Sequence, residues 1–271
     1  MKDIIANRRK IRPLQKLRLF KMAVRENGCF WTMYLLIYYV TSWMADRSYE
    51  RMNRLRVKYN LPGLNSPAMN YEIWQNWDWE DSGEEWTESA EWKDSLINNV
   101  LLRHIPKGGN VLEVGPGAGR WTETLQQTAG HLSAVDISDE CIKICKRKFG
   151  HCKNVEFFVN NGTDLSFIQS DSIDSVWSFD VFVHINSEEI KSYMKEFKRL
   201  LKKGAIAAIH HGHDRGRQGG WRSDVTSEKF VEIVEANGFQ VEAQIAGWWD
   251  GETHHKISAY GDVMTIFRKV E

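Results

Sequence analysis

The sequence predicts an α/β fold: a seven-stranded, mostly parallel sheet with an antiparallel edge pair, preceded by a helical N-terminal extension. Three observations lead there. From residue 110 onward, short apolar runs alternate with segments whose apolar residues recur at helical spacing, the order of repeated βα units. The first run is followed at once by three glycines at alternate positions, a strand-to-helix turn of the kind that meets a ligand. The last two runs have no helix between them, so they close the sheet as an antiparallel pair.

Composition sets the outer bounds. A chain of 271 residues, 42% of them apolar, holds one large α/β domain and an appendage. Lys+Arg 36 against Asp+Glu 36 leaves no global field for a polyanion, so no nucleic-acid partner is expected. The four cysteines form no C-x-x-C pair, and Cys141 and Cys145 sit in an apolar helical setting that reads as packing in a reducing compartment.

The predicted organisation is an N-terminal extension over 1–66, a tryptophan-rich helical cap over 67–109 and a core over 110–271. The extension opens with nine basic residues and two acids in its first 26, with a basic amphipathic helix expected after Pro13. Residues 29–45 then carry no charge and many aromatics, including Trp31, Tyr34, Tyr38 and Trp43. Three readings are open for this segment: a helix lying on a membrane surface, a buried or homodimer-forming helix, and a span, for which it is at the lower length limit. No cleavable leader is expected, and the location expected is the cytoplasm, with membrane contact on the cytoplasmic face through residues 1–60. In the cap, Trp74, Trp77, Trp79, Trp86 and Trp92 stand beside Glu80, Asp81, Glu84 and Glu85; the indoles serve either as packing or as a lid. A helix over 91–104 stops at Pro106 and Gly108.

The core elements follow in order. Strands are expected over 111–114, 132–137, 155–159, 175–179 and 205–210, with helices over 120–129, 139–149 and 188–201, the last two capped by Ser138 and Ser187. A tail helix over 227–236 ends at Gly238 and leads to strands over 239–246 and 262–268. Trp248, Trp249, Asp250, His254 and His255 form a polar, aromatic insert before the last strand.

The loop Glu113-Val114-Gly115-Pro116-Gly117-Ala118-Gly119 lacks the Gly-Lys-Ser/Thr ending of a phosphate cradle, and its acid would repel phosphates. It resembles motif I of the class I S-adenosylmethionine-dependent methyltransferases, a resemblance that covers residues 85–271. What that resemblance implies is a sulfonium cofactor over the glycine loop, held by Glu113, Gly115, Gly117, Gly119 and Trp121, with Asp136 and Ile137 at the ribose. It further implies Asn161, Gly162 and Asp164 at the adenine and Phe179 and Asp180 at the methionine end. Asp136, about 20 residues past the loop, also has the spacing of an acid that accepts from a ribose diol. Residues 83–86 resemble a pattern in methyltransferases encoded among bacterial surface-polysaccharide genes.

Several histidines fall at strand ends. His184, His210 and His211 are candidates for the base that a hydroxyl acceptor needs. A metal held by His210, His211, His213 and Asp214 is not expected, because adjacent strand residues point to opposite faces. Trp86, Trp221, Arg215, Arg217 and Arg222 are candidate substrate contacts, the arginines for a phosphate or carboxylate and Trp221 for a sugar ring. The expected reaction is O-methylation of a small-molecule or glycan acceptor such as a sugar or lipid-linked saccharide. A small isoprenoid or lipid acceptor is the alternative, and a noncatalytic cofactor-binding subunit the alternative of another class.

Overall fold

The computed structural model describes residues 13–213 and 222–271, with side chains from residue 17 onward. The chain divides into two compact units, Met1–Leu61 and Pro62–Glu271, so the boundary falls at 61/62 and the cap belongs to the same unit as the core. In the first unit, α1 (Pro13–Tyr59) is broken at Gly28, whose φ of 80° and ψ of 167° interrupt the helical ladder. Phe30, Trp31, Tyr34, Tyr38 and Trp43 are exposed on it. Among the described residues, no helix is long and apolar enough to cross a membrane.

The second unit begins with α2 (Pro67–Gln75), started by Pro67 and by the Ser66 hydroxyl, which accepts from the Met69 amide at 3.2 Å. A 3₁₀ turn (Glu84–Trp86) leads to α3 (Ala90–Leu96), which continues through a π-helical stretch (Ile97–Leu101) to Leu102–His104. Then come β1 (Asn110–Val114), α4 (Thr122–Thr128), β2 (His131–Asp136), α5 (Asp139–Phe149), β3 (Val155–Val159) and β4 (Ile173–Ser178). The chain finishes with α6 (Ser187–Leu200), β5 (Leu201–His211), α7 (Ser227–Ala236), β6 (Phe239–Ile245), β7 (Gly247–Asp250), β8 (Thr253–Lys256) and β9 (Val263–Lys269).

The main sheet has the order β3-β2-β1-β4-β5-β9-β6, parallel from β3 to β5 and antiparallel where β9 joins β5 and β6. The order reverses at β1, whose neighbours β2 and β4 leave a crevice at its carboxyl end. Alternation along the central strands feeds two cores. Leu112, Val114 and Val176 pack with α6 and α7 through Phe197 and Phe230, whereas Val111 and Trp177 join Trp92, Leu96 and Trp121 on the other face.

Two boundaries differ from the sequence expectation. The cap of α6 is Asn186, not Ser187; Ser187 is already helical, and its amide and hydroxyl both bond to Asp224. Strand β5 starts at Leu201 and shifts register between Ile173 and Ser175 of β4, so residues given to a helix end and turn belong to a long irregular strand. The aromatic insert is a two-stranded hairpin, β7 with β8, in which Trp248 stacks on His255 and Trp249 faces His254.

Candidate active site

A cavity of about 430 Å³ opens where the ends of β1, β2 and β4 meet under the tryptophan cap. Its floor is the glycine loop. Gly115 has a φ of 74°, and a Cβ there would come within 2.3 Å of Val181 in the turn after β4. Gly117, with φ at 56°, lies under Trp79, whose ring would stand 3.1 Å from a Cβ. The loop is therefore pressed between the β4 turn and the cap, and backbone alone fits.

Asp136 closes β2 at one side of the floor. Its Oδ2 accepts from the Gly117 amide at 3.1 Å and its Oδ1 from the Ser138 amide at 2.9 Å. Burial pushes its carboxyl up to about 6, against the pull of these amides. The second lone pair of each oxygen leaves capacity for two further hydrogen bonds, the requirement of a vicinal diol.

At the other side, past β4, Phe179 is buried and stacks on His210 with ring centres 4.2 Å apart. Asp180 follows with φ at 60°, a left-handed conformation uncommon outside glycine. Its carboxylate pairs with Arg120, and its Oδ1 lies 3.1 Å from His210 Nδ1. Burial alone would raise this carboxyl, but His210 and Arg120 together hold it well below the usual carboxylate range. Arg120 is itself buried, its guanidinium 5.0 Å from the Trp121 ring centre.

The roof comes from the cap. Trp74, Trp77, Trp79 and Trp86 form one cluster with ring centres 5.5–6.1 Å apart, tied by Trp79 Nε1–H donating to the Trp74 carbonyl at 3.1 Å and Trp77 Nε1–H to Glu85 at 2.9 Å. Trp74 also meets His184 edge to face at 5.2 Å. Beyond it, Arg222 pairs with Asp262 at 2.8 Å and lies over Tyr260.

Of the residues singled out in the sequence, the cavity is lined by Gly115, Gly117, Trp121, Asp136, Ile137, Gly162, Phe179, Asp180, His184, Trp86 and Arg222. Others are placed elsewhere. Glu113 is buried behind the loop, where its Oε2 accepts from the Thr122 hydroxyl at 2.7 Å and burial pushes its carboxyl up to about 8. Gly119 packs on α5, since a Cβ would meet Phe149 at 2.5 Å. Asn161 and Asp164 are exposed and turn their oxygens to their own loop: Asn161 accepts from the Thr163 and Asp164 amides, and Asp164 from Ser166. Arg215, Arg217 and Trp221 lie outside the described residues.

The histidines separate clearly. His211 is core: Nδ1–H donates to the Gly212 carbonyl at 2.8 Å, Nε2 accepts from the Thr265 hydroxyl at 2.6 Å, and the ring stacks on Phe230. Burial pushes it down to about 3, and a ring with both nitrogens engaged is no base for a ligand. His210 is fully buried behind Phe179, with Nδ1 3.1 Å from both the Asp180 amide nitrogen and the Asp180 carboxylate. Among the described histidines, His184 alone lines the cavity. No group of three or more metal-ligating side chains occurs among the described residues.

Arg120 escaped the sequence reading. The signal was present: a cation just ahead of a helix start opposes the helix dipole and needs an acid to hold it. Ser258 and Tyr260 carried no such signal, since they reach the cavity from a turn ahead of β9.

A family model described as a methyltransferase domain matches residues 111–204, the stretch from β1 through α6 that builds this floor. Residues 111–204 are thus a methyltransferase domain, and the fold is that of the class I S-adenosylmethionine-dependent methyltransferases. The methyltransferase domain is 30% identical over 136 residues to a phosphoethanolamine N-methyltransferase of Triticum aestivum, a match covering 46% of this chain and 27% of that enzyme. The chain thus spans about a quarter of the length of such relatives. An uncharacterized methyltransferase of Bacillus cereus (strain 03BB102) is 29% identical over 168 residues, covering 55% of this chain and 76% of that protein. Among solved structures, the PH0226 protein of Pyrococcus horikoshii OT3 superposes with a TM-score of 0.55 at 19% identity, over 70% of this chain and 98% of that one. S-adenosylmethionine is the cofactor. The residues fit it: the bare loop at Gly115 and Gly117, the paired acceptor Asp136, and a cavity in the size range of small-molecule sites agree with a nucleoside ligand.

Proposed function

We propose that the protein methylates a hydroxyl of a sugar, glycan or lipid-linked saccharide, with His184 as the base. The observation that carries this is the convergence of His184, the β4 turn and the glycine loop on one cavity. The cofactor supplies a methyl group on a sulfonium. The chain holds the cofactor's nucleoside at Asp136 and Ile137, orients the acceptor against Trp86 and Arg222, and excludes water with the tryptophan roof. The His184 ring takes the acceptor's proton as its oxygen becomes a nucleophile. The resemblance of residues 83–86 to enzymes of surface-polysaccharide clusters supports a saccharide acceptor.

The test is transfer of label from cofactor to cell-extract acceptors separated into glycan, lipid and protein fractions. Label in the glycan or lipid-linked saccharide fraction is expected, with His184→Gln lowering kcat by roughly 10²- to 10⁴-fold at unchanged cofactor affinity. Full turnover by that variant ends the assignment of the base. A second reading, an amine acceptor, is supported by the carboxylates Glu88 and Glu189 among the tryptophans of the cavity and by the N-methyltransferase named above. Phosphoethanolamine as the acceptor in the same assay decides between the two.

We further propose that residues 1–60 bring the protein to the cytoplasmic face of a membrane, supported by the exposed aromatics of α1 flanked by Arg18, Lys21 and Arg25 on one side and Arg47, Arg51 and Arg54 on the other. Homodimer formation through the same helix is the competing use of that surface.

A further inference from the structure

His210 stands between two acids, and the reaction proposed above makes no use of it. It is fully buried near the end of β5, with its ring stacked on Phe179 at 4.2 Å. Toward β4, its Nδ1 lies 3.1 Å from both the Asp180 amide nitrogen, a donor, and Asp180 Oδ1, an acceptor. One ring nitrogen serves only one of these at a time, so the position of the ring proton decides which. On its other side, Nε2 lies 3.7 Å from Asp262 Oδ2 and has no hydrogen-bond partner among the described residues. That gap has a cause. Asp262 Oδ2 already accepts from Arg222 Nη2 and from the Ser258 hydroxyl, each at 2.8 Å, which uses both of its lone pairs. The ring proton therefore belongs on Nδ1, facing the Asp180 carboxylate. The other charged groups at these two acids are Arg120, paired with Asp180, and Arg222, paired with Asp262; His211, the next residue, points to the opposite face of the sheet.

We propose that His210 is a positioning residue that couples two parts of the cavity wall: when a ligand takes Asp180, the ring proton moves from Nδ1 to Nε2 and displaces the Ser258 hydroxyl from Asp262. The inference rests on the cavity being the cofactor site, with Asp180 at the cofactor's ammonium end. Asp180 lines the cavity and keeps 28% of its side chain accessible. A cationic donor there replaces Nδ1–H, and Nδ1, its proton released to water, accepts from the Asp180 amide instead. A proton taken up at Nε2 keeps the ring neutral. This new N–H is buried and needs an acceptor, which Asp262 Oδ2 supplies once the 3.7 Å gap closes. Of the two donors already on that oxygen, the neutral hydroxyl is held less strongly than the guanidinium, so it yields. Ser258 lines the cavity, as does Tyr260, whose amide donates to Ser258 Oγ at 2.9 Å. Cofactor binding thus frees a hydroxyl in the wall for the acceptor, and the acceptor site is complete only with the cofactor in place.

Nuclear magnetic resonance of the intact chain, isotope-labelled at its histidine nitrogens, tests this, because a protonated and an unprotonated ring nitrogen differ in chemical shift. S-adenosylhomocysteine is the probe, and the His210 signal is assigned by its loss in His210→Gln. The proton is expected on Nδ1 without ligand and on Nε2 at saturation. Ser258→Ala, which empties one lone pair of Asp262 Oδ2, should move the ligand-free ring to Nε2 as well. A ring that keeps its proton on Nδ1 in the bound wild type overturns the proposal, and so does one protonated at both nitrogens there. Calorimetry supplies a second measurement. Asp262 is buried and does not line the cavity, yet Asp262→Asn should weaken S-adenosylhomocysteine binding by about 3- to 10-fold, since Nε2–H loses its charged acceptor. In a His210→Gln background the same substitution should have no effect. Equal losses in both backgrounds would mean that Asp262 acts without His210, and the coupling falls. A wild type that does not bind S-adenosylhomocysteine ends the cofactor reading itself, a result distinct from these.

Discussion

At the residue scale, two buried acids give the site a pH dependence of known sign. Asp136, pushed up to about 6, protonates as pH falls through that value, and a protonated carboxyl has one acceptor fewer for the two ribose hydroxyls proposed to bind it. Cofactor affinity should therefore be flat above pH 7 and drop up to tenfold per unit below about 6, and calorimetry of Asp136→Asn should show a weaker but pH-independent affinity. Glu113 acts on stability. Its folded value of about 8 lies above the ordinary value of 4.5, so the folded state binds the extra proton between those limits. Its contribution is thus fully present below pH 4.5 and lost as pH rises through 8, at about 1.4 kcal/mol per unit. Asp180 works in the opposite direction, but its window lies below the ordinary aspartate value of 3.8. Urea unfolding of wild type against Glu113→Gln from pH 5 to 8 should show the variant gaining relative stability with pH; parallel curves would mean that Glu113 is ionised in the fold. The histidines show what sequence could not resolve at this scale. Strand alternation says that His210 and His211 face opposite ways, but β5 lies between β4 and β9 with packed faces on both sides, so both directions lead into core.

At the element scale, strands and helices of the core were legible because each buries one periodic face, and α7 begins and ends where its Ser227 and Ala236 boundaries were expected. What was not legible depended on partners distant in sequence. Asn186 rather than Ser187 caps α6 because Asp224 claims Ser187, and β5 starts at Leu201 because β4 offers Ile173 as a pair. The cap is the same kind of case: five tryptophans were visible, but only the fold sets Trp79 over Gly117. That contact gives a coupled prediction. Gly117→Ala puts a Cβ at φ 56° and 3.1 Å from the Trp79 ring, so it should cost about 1–2 kcal/mol of stability from backbone strain and weaken cofactor binding by displacing the roof. Adding Trp79→Ala removes the collision but not the strain. The double variant should bind cofactor better than the two single losses sum to, with stability no better than Gly117→Ala alone. Additive losses in affinity would show that roof and loop act independently.

At the scale of the whole molecule, the cavity and the segment proposed for membrane attachment fall in different units. Every residue lining the cavity lies between Asn65 and Tyr260, inside Pro62–Glu271, whereas the uncharged segment 29–45 lies inside Met1–Leu61. The apolar segment is exposed in a way that water does not favour: Phe30 is 82% accessible, and Trp31, Tyr34, Tyr38 and Trp43 are exposed as well. Cations flank it at Arg25 and Arg47, and the Arg47 guanidinium sits over Trp43 at 5.7 Å. Such a helix lowers its free energy by burying its aromatics at headgroup depth while the flanking cations meet lipid phosphates. Removing residues 1–61 should accordingly shift the protein from the membrane fraction to the supernatant while cofactor affinity stays within about twofold, and vesicles containing anionic lipid should bind the full chain less well as salt screens the arginines. The same deletion measured by sedimentation tests the competing use of the surface: a full chain that sediments as a dimer without lipid, and a truncated chain that sediments as a monomer, would assign the helix to self-association. Loss of cofactor binding on truncation would show instead that α1 supports the catalytic unit, which the confinement of the cavity to residues after Leu61 argues against.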